Sequence, residues 1–329
     1  MFKNSKQSSP MEAGTSGKSL MKASLLALLG AVYLSAATIV VSFPAYDVVL
    51  KEAFPAANVV LLTKGVSDPH EYQLTASDVM FLRNLTAGDV LVLSMHAPFE
   101  LRIAEMAERG EVKARVIDLT KIQLYLTYDG RLTPYASGVN PHDHGVFPPN
   151  VFRLVEAVAN ATGLPPDEGF MSRLKAINST YCCKFNGKAV ALTPAAQYIL
   201  YWLGFRDVAV LIKDPEVPPT PDDFQKAIQY AAVGAPVLAV VARGEASRIV
   251  DQFLQKAREQ GIQPRVVVAD FSKGYLSTLE YVARQVDSAG SPAASPAPAS
   301  PSGGYPWLYA VAALLAVLAA VVLLKIKRS

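Results

Sequence analysis

The sequence predicts an α/β protein of two lobes, each a mostly parallel sheet flanked by helices. Three observations lead there. Short apolar runs alternate with longer helical patterns, as where Thr38–Phe43 gives way to Ala45–Phe54. Such alternation argues for parallel strands covered by helices on both faces. It occurs twice, on either side of a break at Pro165-Pro166, and the 329 residues are enough for two modest cores.

The elements follow in order. Lys18 and Lys22 precede an apolar run, Ala23–Leu34, and the small residues Ser35-Ala36-Ala37. That is the pattern of a signal peptide, so residues 1–37 are set apart as a targeting segment, with Met21 as a possible start. The first lobe, residues 38–165, takes strands from the apolar runs Thr38–Phe43, Asn58–Leu62, Leu91–Ser94 and Val112–Asp118. Its helices are Ala45–Phe54, Ala76–Arg83 behind Thr75 as N-cap, Phe99–Arg109, and Asn150–Ala161 by the spacing of Val151, Leu154, Val155 and Val158. Residues 119–149 are rich in Gly and Pro and read as turns.

Asp167–Tyr181 carries helical spacing through Phe170, Leu174 and Ile177 and provides the connecting helix, in a segment spanning 166–184. The second lobe, 185–286, repeats the alternation. Strands at Lys188–Leu192, Asp207–Ile212, Val237–Val241 and Val266–Ala269 are followed by helices at Ala195–Leu203, Pro221–Ala232, Glu245–Gln260 and Tyr275–Gln285. Thr220 with Pro221 gives an N-cap and an N1 proline.

A Ser/Pro/Ala linker, 287–306, has no charge from Ser288 on. The uncharged run 307–324 opens on Trp307 and is closed by the basic residues of the tail 325–329. It reads as a single transmembrane helix whose C-terminus is cytoplasmic, which leaves the body outside the membrane. The layout resembles that of archaeal surface receptors tethered by a stalk.

Bulk properties narrow the function. Hydrophobic residues make up 51% and charged residues 18%, apolar enough to include membrane segments. The net charge of +3 comes from the ends. Without the seven basic residues of the termini and Glu12, 24 basic residues face 27 acidic ones, so the body carries about −3. That argues against a nucleic-acid partner, which would want a basic face. Two adjacent cysteines, Cys182-Cys183, give no disulfide framework and no CxxC spacing. Asn84, Asn160 and Asn178 begin glycosylation sequons.

The four histidines carry the chemistry. Three fall in two Pro-His segments, Ser67-Asp68-Pro69-His70-Glu71-Tyr72 and Asn140-Pro141-His142-Asp143-His144, and the fourth, His96, lies between them. Neutral imidazole is the commonest metal ligand, and a preceding proline presents the ring from a stiff loop. Ligands of doubly wound sheets collect at the carboxyl ends of strands. His96, Thr193, Arg243 and Asp270 each follow a predicted strand. His70, His142 and Asp270 would together offer nitrogen and oxygen donors suited to zinc or manganese. The plainer alternative for Asp270 is an N-cap.

Asp68-Pro69-His70-Glu71-Tyr72 followed by Ser77-Asp78, together with Asn140-Pro141-His142, resembles the metal-site segments of the zinc/manganese solute-binding proteins of ABC importers (cluster A-1). The resemblance covers about Thr38 to Gln285. It implies a metal receptor of the helical-backbone type, with two lobes joined by a rigid helix. It also implies Zn2+ or Mn2+ as the transported ligand and an ABC permease and ATPase as partners. His70 matches the first ligand position and His142 the second. The third falls on Thr193, a poor donor, and the fourth on Asp270. His96 or His144 would supply the missing nitrogen, and His96 shares a lobe with His70. Glu71 and Asp143 read as solvated neighbours or as partners that orient the rings, and His144 otherwise as such a partner.

The function expected is therefore a membrane-anchored, extracellular (pseudo-periplasmic) metal receptor and not an enzyme. A second reading keeps the fold and binds a chelated metal, siderophore or cobalamin-like ligand, with Tyr125, Tyr128, Tyr135 and Phe147 lining the pocket. A surface metallohydrolase, with Glu71 as base, is a third, without an HExxH or GxSxG arrangement to support it.

Overall fold

The computed structural model describes residues 37–66, 69–241 and 245–290. Up to Gln285 they belong to one compact unit. The expected signal segment before residue 37, Arg243, the transmembrane helix at 307–324 and the tail lie outside the described residues. Among the described residues, no helix is long and apolar enough to cross a membrane.

Two four-stranded parallel sheets frame the unit. In the first, β1 (Thr38–Val41) sits between β2 (Asn58–Leu61) and β3 (Val90–Leu93), and β4 (Arg115–Asp118) closes the order β2-β1-β3-β4. The second has the order β11-β10-β8-β9, from β8 (Lys188–Ala191), β9 (Asp207–Val210), β10 (Val237–Val240) and β11 (Val266–Ala269). All six pairings are parallel. Strands covered on both faces are continuously apolar, and β3 (Val-Leu-Val-Leu) is buried at every position.

Helices begin within six residues of the ends of β1, β3, β8, β10 and β11. The first half supplies α1 (Pro44–Ala53), α2 (Ala76–Asn84), α3 (Pro98–Glu108) and α4 (Pro148–Thr162). After α5 (Glu168–Tyr181), the second half supplies α6 (Pro194–Leu203), α7 (Pro221–Ala232), α8 (Glu245–Glu259) and α9 (Tyr275–Gly290). Five helices, α1, α3, α4, α6 and α7, open on proline, whose missing N–H is an orphan there anyway. Thr75 and Thr220 cap α2 and α7 through reciprocal bonds with Asp78 and Asp223. The last helix extends through residues 287–290, where the linker was expected to begin.

The turn-rich reading of 119–149 is corrected in part. This segment folds a small antiparallel sheet, order β6-β5-β7, from β5 (Tyr125–Thr127), β6 (Leu132–Thr133) and β7 (Val139–Asn140). The strands are only two or three residues long, too short to leave a period-2 pattern.

The two halves meet around α1. The Asp167 N–H donates to the Ala53 carbonyl at 2.8 Å, tying the entry of α5 to the end of α1. Glu52, also on α1, accepts the backbone N–H groups of Tyr275 (2.6 Å) and Leu276 (3.4 Å), so a first-half carboxylate caps the last helix. Arg173 of α5 pairs with Glu280 of α9 at 2.9 Å. The cap is the structurally important member, because it satisfies orphan donors of a helix that carries the buried Leu279, Val282 and Ala283. Glu52→Ala is expected to lower unfolding free energy by about 1–2 kcal/mol in urea titrations. An unchanged midpoint would show that water serves those donors equally well.

Candidate metal centre

The carboxyl edge of the first sheet is where its loops converge. Beyond β1 stands Phe43, 3% exposed. Its ring stacks on His144 (centroids 4.5 Å apart, 25° between planes) and His96 (5.1 Å, 13°), and packs at a tilt on His70 (5.1 Å). Phe43 therefore forms an apolar floor under three imidazoles. It was expected only as the end of a strand.

Above that floor, His70, His96, His142 and His144 each present a ring nitrogen, all within 4.8 Å of one another. His70 Nε2 and His96 Nε2 are 3.0 Å apart, and His142 Nδ1 and His144 Nε2 are 3.3 Å apart. The structure thus brings together both histidines of the Pro-His motifs, His96, and His144 as a member of the group itself. Asp270 is not a member of that group. Asp270 caps the 3-10 turn Phe271–Lys273, accepting from the Ser272 N–H (3.1 Å) and hydroxyl (2.6 Å), with Lys273 at 3.8 Å. The Thr193 hydroxyl accepts the Val240 N–H at 2.9 Å and so ties α6 to β10. Glu71 is exposed on the same turn as His70.

Each ring is held by a local device. His70 lies in the 3-10 turn Pro69–Glu71. Downstream, the Tyr72 hydroxyl donates to Asp78 at 2.6 Å while Asp78 closes the Thr75 cap, so the motif pins its own loop to α2. His96 leaves β3 through Met95, which takes a positive φ of 65°. Its Nδ1 lies 2.8 Å from the Ser94 hydroxyl, which donates to Glu100 at 2.6 Å. Glu100 is fully buried and also accepts the N–H groups of Ser94, His96 and Ala97. That arrangement fixes the ring's orientation and directs Nε2 into the group. Ser94 and Glu100 escaped the sequence reading, since a serine ending a strand and a glutamate in a first helical turn are ordinary residues.

The second half holds the other loop. Asn140 Nδ2 donates to the Pro194 carbonyl and to Gln197 Oε1, both at 2.9 Å, while its Oδ1 accepts the His142 N–H at 3.0 Å. The Tyr198 hydroxyl donates to the Asn140 carbonyl and accepts the Leu126 N–H. His144 takes φ 45°, and Gly145 follows at φ 83°. A Cβ on Gly145 would sit 2.9 Å from the Tyr46 ring, so glycine is required there for space as well as conformation. Asp143 is no solvated neighbour. It is buried and accepts the Phe147 N–H (2.8 Å) and Asn150 Nδ2 (2.9 Å) at the start of α4, and burial pushes its carboxyl up to about 7.

Of the proposed pocket aromatics, Tyr125 and Phe147 are core residues at 2% exposure, Tyr128 bonds the Lys213 carbonyl, and Tyr135 is exposed and packs edge-on against Tyr125. The Asn178 sequon side chain accepts the Trp202 indole N–H at 2.8 Å.

Electrostatics keeps His96 and His144 neutral. Burial first, then the neighbouring His142 and His70, hold His96 down at about 3. His144 is pushed well below the ordinary range by burial, then by His96, His142 and His70. Its Nδ1 is buried with no hydrogen-bond partner among the described residues. Neutral rings expose the lone pairs a metal needs. Tetrahedral nitrogens about 2.0–2.1 Å from a zinc ion are about 3.3–3.4 Å apart, so the 3.0 and 3.3 Å separations already lie close to such a shell.

Two parallel sheets covered by helices, with side chains converging at one sheet's carboxyl edge, make an α/β fold that solved structures share. Among solved structures, the chain is similar to the laminin-binding adhesin Lmb from Streptococcus agalactiae, in a mutant form. The identity is 14%, covering 77% of this chain and 99% of that one, with a TM-score of 0.58. It is also similar to the SBP FpvC from Pseudomonas aeruginosa in complex with Mn2+ (19%, 78% and 100%, TM-score 0.54) and to a Zn(II)-bound variant of AdcAII from Streptococcus pneumoniae (12%, 77% and 98%, TM-score 0.54). At these identities the likeness establishes the fold. No protein-family model matches the chain, and no curated protein does.

The depressed imidazoles make metal-free stability depend on pH. Unfolded histidines take up protons below about 6.5, whereas His96 and His144 stay neutral when folded, so stability is lost as pH falls from about 6.5 toward about 3. Asp143 opposes this, because the folded state holds a proton up to about 7 that the unfolded chain releases near 4. Two histidines against one carboxyl leave a net slope of roughly 1.4 kcal/mol per pH unit near pH 5, with stability rising with pH. Urea midpoints of metal-free protein between pH 4 and 7 test this, and a slope of opposite sign would contradict it.

Proposed function

We propose that this protein is a receptor that captures a divalent transition metal ion, zinc foremost, for delivery to an ABC permease and its ATPase. The observation that supports this most directly is the convergence of four imidazole nitrogens within 4.8 Å on an apolar floor. His70, His96, His142 and His144 would be the ligands, with Ser94, Glu100 and Asn140 orienting them. Four donors fill a tetrahedral shell, whereas catalytic zinc keeps one position for water or substrate. The donor set thus favours holding an ion over turning over a substrate. Imidazole suits zinc, copper and nickel, while manganese prefers carboxylate and carbonyl oxygen, so an all-nitrogen site argues for zinc over manganese.

In this reading the two sheets belong to two lobes bridged by α5. The basic, apolar and small-residue order of residues 18–37 supports export, and the apolar run 307–324 behind a Ser/Pro/Ala stalk supports a membrane tether.

Calorimetry on metal-stripped protein is expected to show one zinc ion bound per chain, with manganese at least ~10-fold weaker. His70→Ala and His142→Ala should each lose stoichiometric zinc without unfolding. Zinc binding unchanged in both variants would refute the assignment. Ser94→Ala, which removes the hydroxyl between Glu100 and the His96 ring but no metal donor, should cost on the order of 10–100-fold in zinc affinity. An unaltered affinity would mean that packing alone orients His96.

A further inference from the structure

The vicinal cysteines stand apart from the histidine site. Cys182 ends α5 with φ −57° and ψ 131°, and Cys183 follows at φ 59°. These are the dihedrals of the two central residues of a type II turn, and the Lys184 N–H closes that turn on the Tyr181 carbonyl at 3.4 Å. The second central position of such a turn ordinarily takes glycine, so a cysteine there is held against its own preference. The surroundings do the holding. The Cys183 N–H donates to the Trp202 carbonyl and the Phe185 N–H to the Leu203 carbonyl, both at 2.9 Å. The backbones pack so closely that a Cβ on Gly204 would lie 2.2 Å from the Phe185 carbonyl oxygen and 3.0 Å from the Cys183 carbonyl carbon. This geometry points both sulfurs the same way, 2.7 Å apart, with Cys182 half-buried and Cys183 exposed.

We infer that Cys182 and Cys183 form a reversible vicinal-disulfide site, closed and opened by thiol–disulfide exchange with an external disulfide. A bond of about 2.05 Å needs the sulfurs to close a gap of only ~0.7 Å. The exposed Cys183 thiolate attacks one sulfur of the incoming disulfide. That S–S bond breaks, and one thiolate leaves and is protonated. Cys182 then gives its proton to solvent and attacks Cys183 Sγ, forming the Sγ–Sγ bond as the second thiolate leaves and takes up a proton. The pair loses two electrons and two protons, and the external disulfide departs as two thiols. Cys182 suits the later role, since burial and its bond with Cys183 push its thiol up to about 11. The ring between adjacent residues is strained, and strain makes a disulfide easier to reduce, so the site should open as well as close.

The test equilibrates the purified full-length protein in reduced and oxidised glutathione at graded ratios, blocks free thiols with iodoacetamide and weighs the tryptic peptide Ala176–Lys184. Under oxidising ratios the peptide should lose two hydrogens and take up no blocking group. Under reducing ratios it should carry two. Cys182→Ser should stop at a glutathione adduct on Cys183. Cys183→Gly, which suits the turn's positive φ, should fold with an undiminished thermal midpoint and leave Cys182 largely blockable. A wild-type peptide that carries two blocking groups at every ratio, carries glutathione on both cysteines, or is linked between chains would overturn the inference.

Discussion

Four imidazoles that bring their nitrogens within 4.8 Å of one another cannot gather positive charges without repulsion. Two imidazolium charges about 5 Å apart would repel by about 3 kcal/mol at an effective dielectric near 20, and a third or fourth would multiply the penalty. Burial on Phe43 and mutual proximity both act in that direction, which is why His96 and His144 are driven so far down. The same constraint that disfavours protons on His96 and His144 favours the neutral imidazole that a cation needs. An ion placed among them would replace repulsion between facing nitrogens with coordination.

Such a cluster has to be held together by the rest of the molecule. Two devices do this from opposite sides. Glu100 and Ser94 lock the turn that leaves β3, where Met95 is forced to positive φ. Asn140, clamped by Tyr198, Gln197 and the Pro194 carbonyl of α6, holds the loop that carries His142 and His144. The positive φ of Met95, beside His96, and that of His144 itself persist only where the surroundings over-determine them.

Much of this was legible in the chain. Continuous apolar runs such as Val90–Leu93 announce strands buried on both faces, and Thr75 and Thr220 announce the caps they make. Pro69-His70 and Pro141-His142 marked two arms of the site because proline beside histidine is a local signal. The remainder depends on contacts between distant residues. Nothing near Phe43 in sequence says that its ring will lie under His96 and His144. Glu100 differs from Glu105 only in pointing at a strand end rather than at solvent. Asp270 and Thr193 follow strands as expected, but their side chains are spent on local hydrogen bonds, Asp270 to Ser272 and Thr193 to the Val240 N–H, in the second half.

That distribution bears on how a receptor of this design would let an ion go. All four histidines belong to residues 70–144, so a bound ion would not itself link the two sheets. The second half acts on the site through α6, whose Pro194, Gln197 and Tyr198 hold Asn140 and thereby the His142 N–H. A small shift of α6 relative to the first sheet would move His142 and His144 away from His70 and His96 without disturbing the rings seated on Glu100 and α2. Separating two donors from two others removes half of a tetrahedral shell, and this needs only the rearrangement of a few buried hydrogen bonds. On the proposed reading, release would be controlled by the hydrogen-bonded contact between α6 and the 140–144 loop, through which the second half acts on His142.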